Sequence, residues 1–148
     1  MVVDVIIPVY RPEREKLTKL IDWLNKQTVK PSRVFFMQTL VEKNEDEEVL
    51  QMLQKAENVE IVPIEKKDFD HGGTRNKGAA LSKADYMLFM TQDAVPVDAY
   101  LIENLVQAME EEEAATAYGR QLPDDTVGVI EHYTREFNYP AKSYVKSQ

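Results

Sequence analysis

Cysteine is absent from all 148 residues. Its absence excludes disulfides, thiolate zinc sites and a cysteine nucleophile, and accords with a reducing, cytoplasmic compartment. Glycine and proline are sparse, at five and seven residues, too few for a repetitive or disordered chain. Basic charge is in the minority. The formal net charge of -8 argues against broad binding to nucleic acid, which needs a basic face to displace counterions from phosphates. Long apolar runs are missing too. Residues 2–9 contain Asp4 and reach Pro8, far short of a signal-peptide core or a span of about 20 residues, so no segment is expected to cross a membrane. No glycine-rich dinucleotide fingerprint follows the first apolar run, and no Gly-Lys-Ser/Thr loop occurs anywhere. Ordinary NAD and P-loop readings therefore fail.

The chain that remains is 43% hydrophobic and 30% charged, the balance of a soluble globular domain long enough to bury a core. The acidic runs at residues 42–48 and 110–113 read as solvated loop or helix ends. Residues 2–9 form a β-branched run expected to be a strand buried on both faces. Leu17, Leu20, Ile21 and Leu24 follow at the spacing of a one-sided helical stripe. Residues 34–37 predict a second strand. Val49, Leu50, Leu53 and Ala56 mark a weaker helix, residues 59–64 a third strand, residues 72–81 a short helix and residues 86–90 a fourth strand. Leu101, Ile102, Leu105, Val106 and Met109 mark a further helix, and residues 115–118 a fifth strand. Parallel strands need crossovers of about a dozen residues, usually helical. The alternation therefore predicts an α/β fold, an open, mostly parallel, doubly wound sheet with helices on both faces. From Arg120 onward neither period is visible. The expected division is an α/β domain over residues 1–120 and the start of a second, acceptor-side region over residues 121–148.

In such sheets ligands bind beyond the carboxyl ends of the strands, where strand order reverses. Four loops lie there: Pro8 to Arg11, Gln38-Thr39, Lys67 to Asn76, and Thr91-Gln92-Asp93. In the third, Gly72-Gly73 would let backbone amides approach an anion, with Thr74 as a fair cap for the following helix. Arg75 adds a fixed positive fork and Asn76 a donor and acceptor, a set suited to a diphosphate or nucleotide. A Gly-Gly turn with a surface arginine is the plain alternative. His71 could donate to phosphate or sugar, or bond its own loop. Asp93 follows what reads as a buried apolar strand, where an unpaired carboxylate is costly and a divalent cation is a natural partner; a helix cap is the alternative. A receiver-type phosphorelay domain would need an acidic pocket where this chain has Pro8 and Tyr10.

Three stretches taken together carry a resemblance: Val5-Ile6-Ile7-Pro8-Val9-Tyr10; Phe69-Asp70-His71-Gly72-Gly73-Thr74-Arg75-Asn76-Lys77-Gly78-Ala79-Ala80; and Met87-Leu88-Phe89-Met90-Thr91-Gln92-Asp93-Ala94-Val95-Pro96. The chain resembles family 2 glycosyltransferases, with a GT-A fold like that of nucleotide-diphospho-sugar transferases. Within them it is most similar to bacterial rhamnosyltransferases, through the Thr-Gln-Asp-Ala form, Gly119-Arg120-Gln121-Leu122-Pro123 and Arg135-Glu136-Phe137-Asn138-Tyr139-Pro140. The resemblance covers nearly the whole chain.

It implies nucleotide-sugar contacts at Pro8, Tyr10, Thr39, Asp68, His71, Arg75, Asn76, Gln92 and Asp93, with Asp93 as the metal ligand. The family's Asp-x-Asp metal motif keeps only its second carboxylate here, because its first position is Thr91. The resemblance thus implies Mg2+ or Mn2+ held by one carboxylate, waters and donor phosphates. Where the family places an acidic residue after the second strand, either Thr39 or Glu42 is available.

The implied activity is inverting transfer of a sugar from dTDP-rhamnose or a UDP-sugar to a glycan or lipid-linked acceptor, in bacterial polysaccharide biosynthesis. The implied setting is the cytoplasm, at the inner membrane face for a longer protein associated peripherally through its remaining part. The family's general base has no counterpart after Arg120 and is expected beyond the chain end. The alternative function is a nucleotide-binding or interaction module that is catalytically incomplete.

Overall fold

The computed structural model describes residues 1–123, 128–139 and 141–146. Two compact units divide at residue 103, Met1–Glu103 and Asn104–Gln148. The first holds β1 (Val3–Val9), α1 (Arg14–Asn25), β2 (Arg33–Thr39), α2 (Lys43–Leu53), β3 (Val59–Ile64), a 3-10 turn (Lys66–Asp68), α3 (His71–Leu81) and β4 (Tyr86–Phe89). α4 (Leu101–Glu111) begins in the first unit and continues into the second, which also holds α5 (Val129–Asn138).

All strand pairs are parallel, in the order β3-β2-β1-β4. Ile6 pairs with Phe35 on one side and Phe89 on the other, and Thr39 pairs with Ile64. The order explains the layering. α1 and α2 carry the chain outward from β1 to β3, whereas α3 carries it back across to β4. Right-handed crossovers in opposite directions put the two sets of helices on opposite faces.

α3 covers the face that presents Ile6, Phe35, Met37 and Ile64, with Val62, Phe69 and Ala79 packed against this cluster. On the other face Val5, Ile7, Val34 and Phe36 are buried, as are Leu17, Leu20, Ile21 and Leu24 of α1 and Val49 and Leu53 of α2. β1 is thus buried on both sides, as its β-branched run predicts. Each such aliphatic or aromatic side chain contributes about 1.5–3 kcal/mol when fully buried. α3 reaches the sheet closely because Gly78 has no side chain: a Cβ there would stand 2.6 Å from Ile6 Cγ2 and 3.3 Å from Met37 Sδ.

Three expectations are corrected. β4 is not a buried strand, since Met87 and Phe89 are 46% and 45% exposed; among the described residues it pairs only with β1, which leaves it at an edge. Residues 115–118 form no strand. Two of the four are alanines, weak strand formers, and Tyr118 is 66% exposed, so little burial offsets the cost of ordering them. The stretch after Arg120 holds a helix, α5, where no period was visible. Its apolar residues Val129, Ile130 and Tyr133 are strongly exposed, and its β-branched and aromatic residues are modest helix formers. The legible sign was Glu131 and Arg135 at i,i+4, an ion pair of 2.8 Å.

Candidate functional site

Strand order reverses between β1 and β4, so the loops after these strands part toward opposite faces and leave a crevice. The β1–β4 ladder ends where Met90 N donates to Ile6 O at 3.1 Å. Beyond it a side chain rejoins the loops. Tyr10 N donates to Gln92 Oε1 at 2.8 Å, and Gln92 Nε2 donates to Tyr10 O at 3.0 Å. One amide thereby satisfies both backbone groups of Tyr10, as a neighbouring strand would. Arg11 follows with a left-handed φ of 39°, a conformation that costs free energy outside glycine. Ion pairs from Arg11 to Glu45 and from Arg14 to Glu48 hold this loop to α2.

The Tyr10 ring, 38% exposed, stacks on Phe69 with centroids 6.3 Å apart and planes at 20°. Phe69 meets the His71 ring edge-on at 5.1 Å. These three rings run from the loop after β1 to the first residue of α3 and offer a planar ligand a stacking surface. Arg75 Nη1 donates to His71 O at 2.9 Å, which fixes the guanidinium beside the same helix end. Tyr10, Gln92, His71 and Arg75 therefore form one connected group, joined through Phe69.

The helix end differs from expectation. Asp70, not Thr74, is the cap: its carboxylate accepts from Gly73 N at 2.6 Å. A Cβ on Gly73 would lie 2.8 Å from Asp70 Oδ2, so glycine is needed here for the cap to close. The Gly72-Gly73 amides are therefore not a free anion cradle, because a carboxylate already engages one of them. Thr74 is inside the helix, 3% exposed, with a hydroxyl that has no hydrogen-bond partner among the described residues.

Other sequence-predicted residues are placed as follows. Pro8 is half-buried opposite Met37, Asp68 is exposed in the 3-10 turn, and Asn76 is exposed on α3. Thr39 ends β2 and is 3% exposed, its hydroxyl buried without a partner among the described residues, so it does not join the exposed group. Glu42, at the start of α2, is exposed. Asp93 is exposed as well, which corrects the expectation of a costly buried carboxylate. Among the described residues its carboxylate has no hydrogen bond or ion pair, and no group of three or more histidine, cysteine or acidic side chains could hold a metal. A lone free carboxylate suits an ion such as Mg2+, which keeps several waters and takes its other oxygens from phosphates.

Comparison with known proteins decides the family: the model of glycosyl transferase family 2 matches residues 4–147. The chain belongs to glycosyl transferase family 2. It is 34% identical, over its whole length, to the O-antigen chain rhamnosyltransferase RfbN of Salmonella typhimurium, of which it covers 46%. To WbaN of Salmonella anatum, also an O-antigen chain rhamnosyltransferase, it is 27% identical over 97% of its length and 44% of that protein. The chain thus spans less than half the length of these curated relatives. Among solved structures, S. aureus TarS 1–349 matches 84% of this chain and 39% of its own, with a TM-score of 0.60 and 20% identity. The same protein in complex with UDP-GlcNAc matches with a TM-score of 0.57. At that identity the likeness establishes the GT-A fold. Among the described residues, no helix of this family 2 chain is long and apolar enough to cross a membrane.

Sequence reasoning passed over two residues of the site. Phe69 joins Tyr10 to His71; the sequence places it at the head of the second stretch of the resemblance but assigns it no role. Gln27, 2% exposed, has no such signal. Its Nε2 donates to Trp23 O and Asp98 O at 3.1 and 2.9 Å, and Ile102 N donates to its Oε1 at 3.2 Å. It anchors the segment that follows the Asp93 loop to the end of α1.

Proposed function

We propose that this chain is the donor-binding part of an inverting sugar transferase, and that the crevice between the β1 and β4 loops receives a nucleoside-diphosphate sugar. The observation that carries the reading is the Gln92 clamp on Tyr10 with Phe69 stacked behind the ring. It holds an aromatic face where the strand order reverses between β1 and β4, and a nucleobase is a planar partner for such a face. Arg75 and Asn76 are proposed to hold the diphosphate, with His71, Asp68 and Pro8 lining the sugar-nucleotide. Of the two residues open after β2, we favour the exposed Glu42 for ribose or base, and assign the buried Thr39 to positioning.

Asp93 is proposed to hold Mg2+ or Mn2+, which when bound would neutralise the leaving diphosphate. The names of the relatives favour a rhamnose donor such as dTDP-rhamnose. The UDP-GlcNAc complex of TarS supports nucleotide-sugar binding in this fold and keeps UDP-sugars in view. The O-antigen chain in the relatives' names supports a glycan acceptor; a lipid-linked acceptor and a setting at the cytoplasmic membrane face are further parts of the proposal. Direct displacement with inversion also needs a base for the acceptor hydroxyl, and we place that group in the part of the relatives this chain does not span.

The test is thermal unfolding of the 148-residue chain with dTDP or UDP, each with and without Mg2+ or Mn2+. A ligand bound only by the folded state stabilises it by about 2.7 kcal/mol at a hundred times its Kd, several degrees for a domain of this size. We expect a metal-dependent rise for one of the two nucleotides. Asp93→Ala should abolish the metal-dependent part and change the ligand-free stability by no more than about 0.5 kcal/mol, as an exposed residue with no side-chain partner among the described residues should. If neither nucleotide moves the midpoint under any metal condition, this chain does not form a donor site.

A further inference from the structure

The chain holds six arginines, and five of them donate side-chain hydrogen bonds. Arg11 donates none among the described residues. It has instead an anion and a ring. Glu45 Oε1 stands 3.7 Å from Arg11 Nε, beyond the roughly 2.7–2.9 Å of a charge-assisted hydrogen bond, so it draws the guanidinium by charge and leaves the N–H groups unused. The guanidinium carbon lies over the Tyr10 ring, 5.9 Å from its centroid, within the reach of a cation–π contact.

The backbone accounts for this placement. Arg11 takes its left-handed φ of 39° directly after Tyr10, whose N–H and C=O are both held by Gln92. Glycine would enter that region without cost, whereas arginine does not. Such strain persists where the surroundings over-determine it, and it gathers at ligand sites. Here it turns an unused fork of N–H donors toward the ring that carries the donor reading.

The neighbours decide which part of a ligand the fork would meet. The row of rings runs from Tyr10 through Phe69 to His71, and Arg75 is fixed at the His71 end. With the diphosphate at Arg75, a base stacked on Tyr10 brings its edge next to Arg11. Uracil and thymine carry a carbonyl acceptor at position 4, where cytosine carries an amino donor. A guanidinium donates to the first and is opposed by the second.

We propose that Arg11 reads the nucleobase: its guanidinium donates to the carbonyl edge of a uracil or thymine stacked on Tyr10 and selects these bases over cytosine. This rests on the donor reading above and adds to it the residue that chooses the base.

The experiment is titration calorimetry of the 148-residue chain with UDP, dTDP and CDP, each with Mg2+. The three nucleotides carry the same charge, so their affinity ratios cancel the attraction common to all. UDP or dTDP should bind about tenfold more tightly than CDP. Arg11→Ala should bring that ratio near one by weakening UDP or dTDP while leaving CDP within about twofold. Arg11→Lys keeps the charge without the planar fork and should lose the ratio as well. Arg11→Gly relieves the left-handed backbone, which secures a folded variant, and should behave as Arg11→Ala. Equal binding of UDP, dTDP and CDP by the unsubstituted chain, a ratio that the variants leave intact, or an equal loss for all three nucleotides would overturn the proposal and leave the donor site standing. Binding of none of the three by the unsubstituted chain would overturn both.

Discussion

Gln92 stands two positions past the last residue of the β1–β4 ladder contact, Met90, where the backbones have parted. Its amide offers, at that reach, an acceptor to Tyr10 N and a donor to Tyr10 O at once, which an ionised glutamate cannot do and asparagine, one carbon shorter, does not reach. Gln92→Ala removes both bonds and should destabilise the fold by about 1–3 kcal/mol, at roughly 0.5–1.5 kcal/mol per hydrogen bond. Chemical denaturation would measure it. Nucleotide affinity should fall with it, because Tyr10 loses the hold that presents its ring. Gln92→Glu keeps the acceptor and loses the donor, so an affinity no better than that of Gln92→Ala would show that the second bond is the one that matters. The sequence marked Gln92 as part of a motif, but not what it does: the role depends on a backbone 82 positions away.

α3 shows what an element needs beyond its own pattern. Its sequence, with glycines at positions 72, 73 and 78, is poor in helix propensity, and each of two glycines answers a contact with another group. Gly73 makes room for the Asp70 cap, and Gly78 for Ile6 and Met37. Gly78→Ala should raise local helix propensity yet destabilise the protein by about 1–3 kcal/mol through overpacking, with the loss read as a lower denaturation midpoint at unchanged slope. An increase in stability would mean that α3 has room to move off the sheet. A Gly-Gly pair read from sequence as an open anion cradle proved to be a capped helix start, because the carboxylate that fills it is supplied two and three positions earlier.

At the scale of the molecule the charge of -8 opposes the ligand we assign to it. A nucleoside diphosphate approaches an acidic protein against the summed field, relieved locally by Arg75 and, in our reading, by a divalent ion at Asp93. Without divalent ions, UDP or dTDP binding should therefore strengthen as NaCl rises from about 20 to 150 mM, as the Debye length shrinks toward about 8 Å. A basic phosphate-binding protein shows the opposite slope. Titration calorimetry at both salt concentrations would check it, and a weakening with salt would mean that local cations outweigh the net charge.

The order of strands and helices through β4 was legible from residue patterning, because a strand buried on both faces needs an unbroken apolar run and an amphipathic helix a one-sided stripe, both local properties. The loops proposed to bear the site can be named from the sequence too, since ligands in such sheets gather at carboxyl strand ends. Only tertiary structure decided which loop residues meet. Phe69 under Tyr10, the Asp70 cap, the burial of Thr39 and the anchoring by Gln27 all depend on contacts between segments far apart in sequence or on the exact start of a helix. The same holds for the exposed edge of β4 and for α5. Exposure and pairing are properties of neighbours, and a one-dimensional pattern records a residue's tendency to be buried without recording whether anything arrives to bury it.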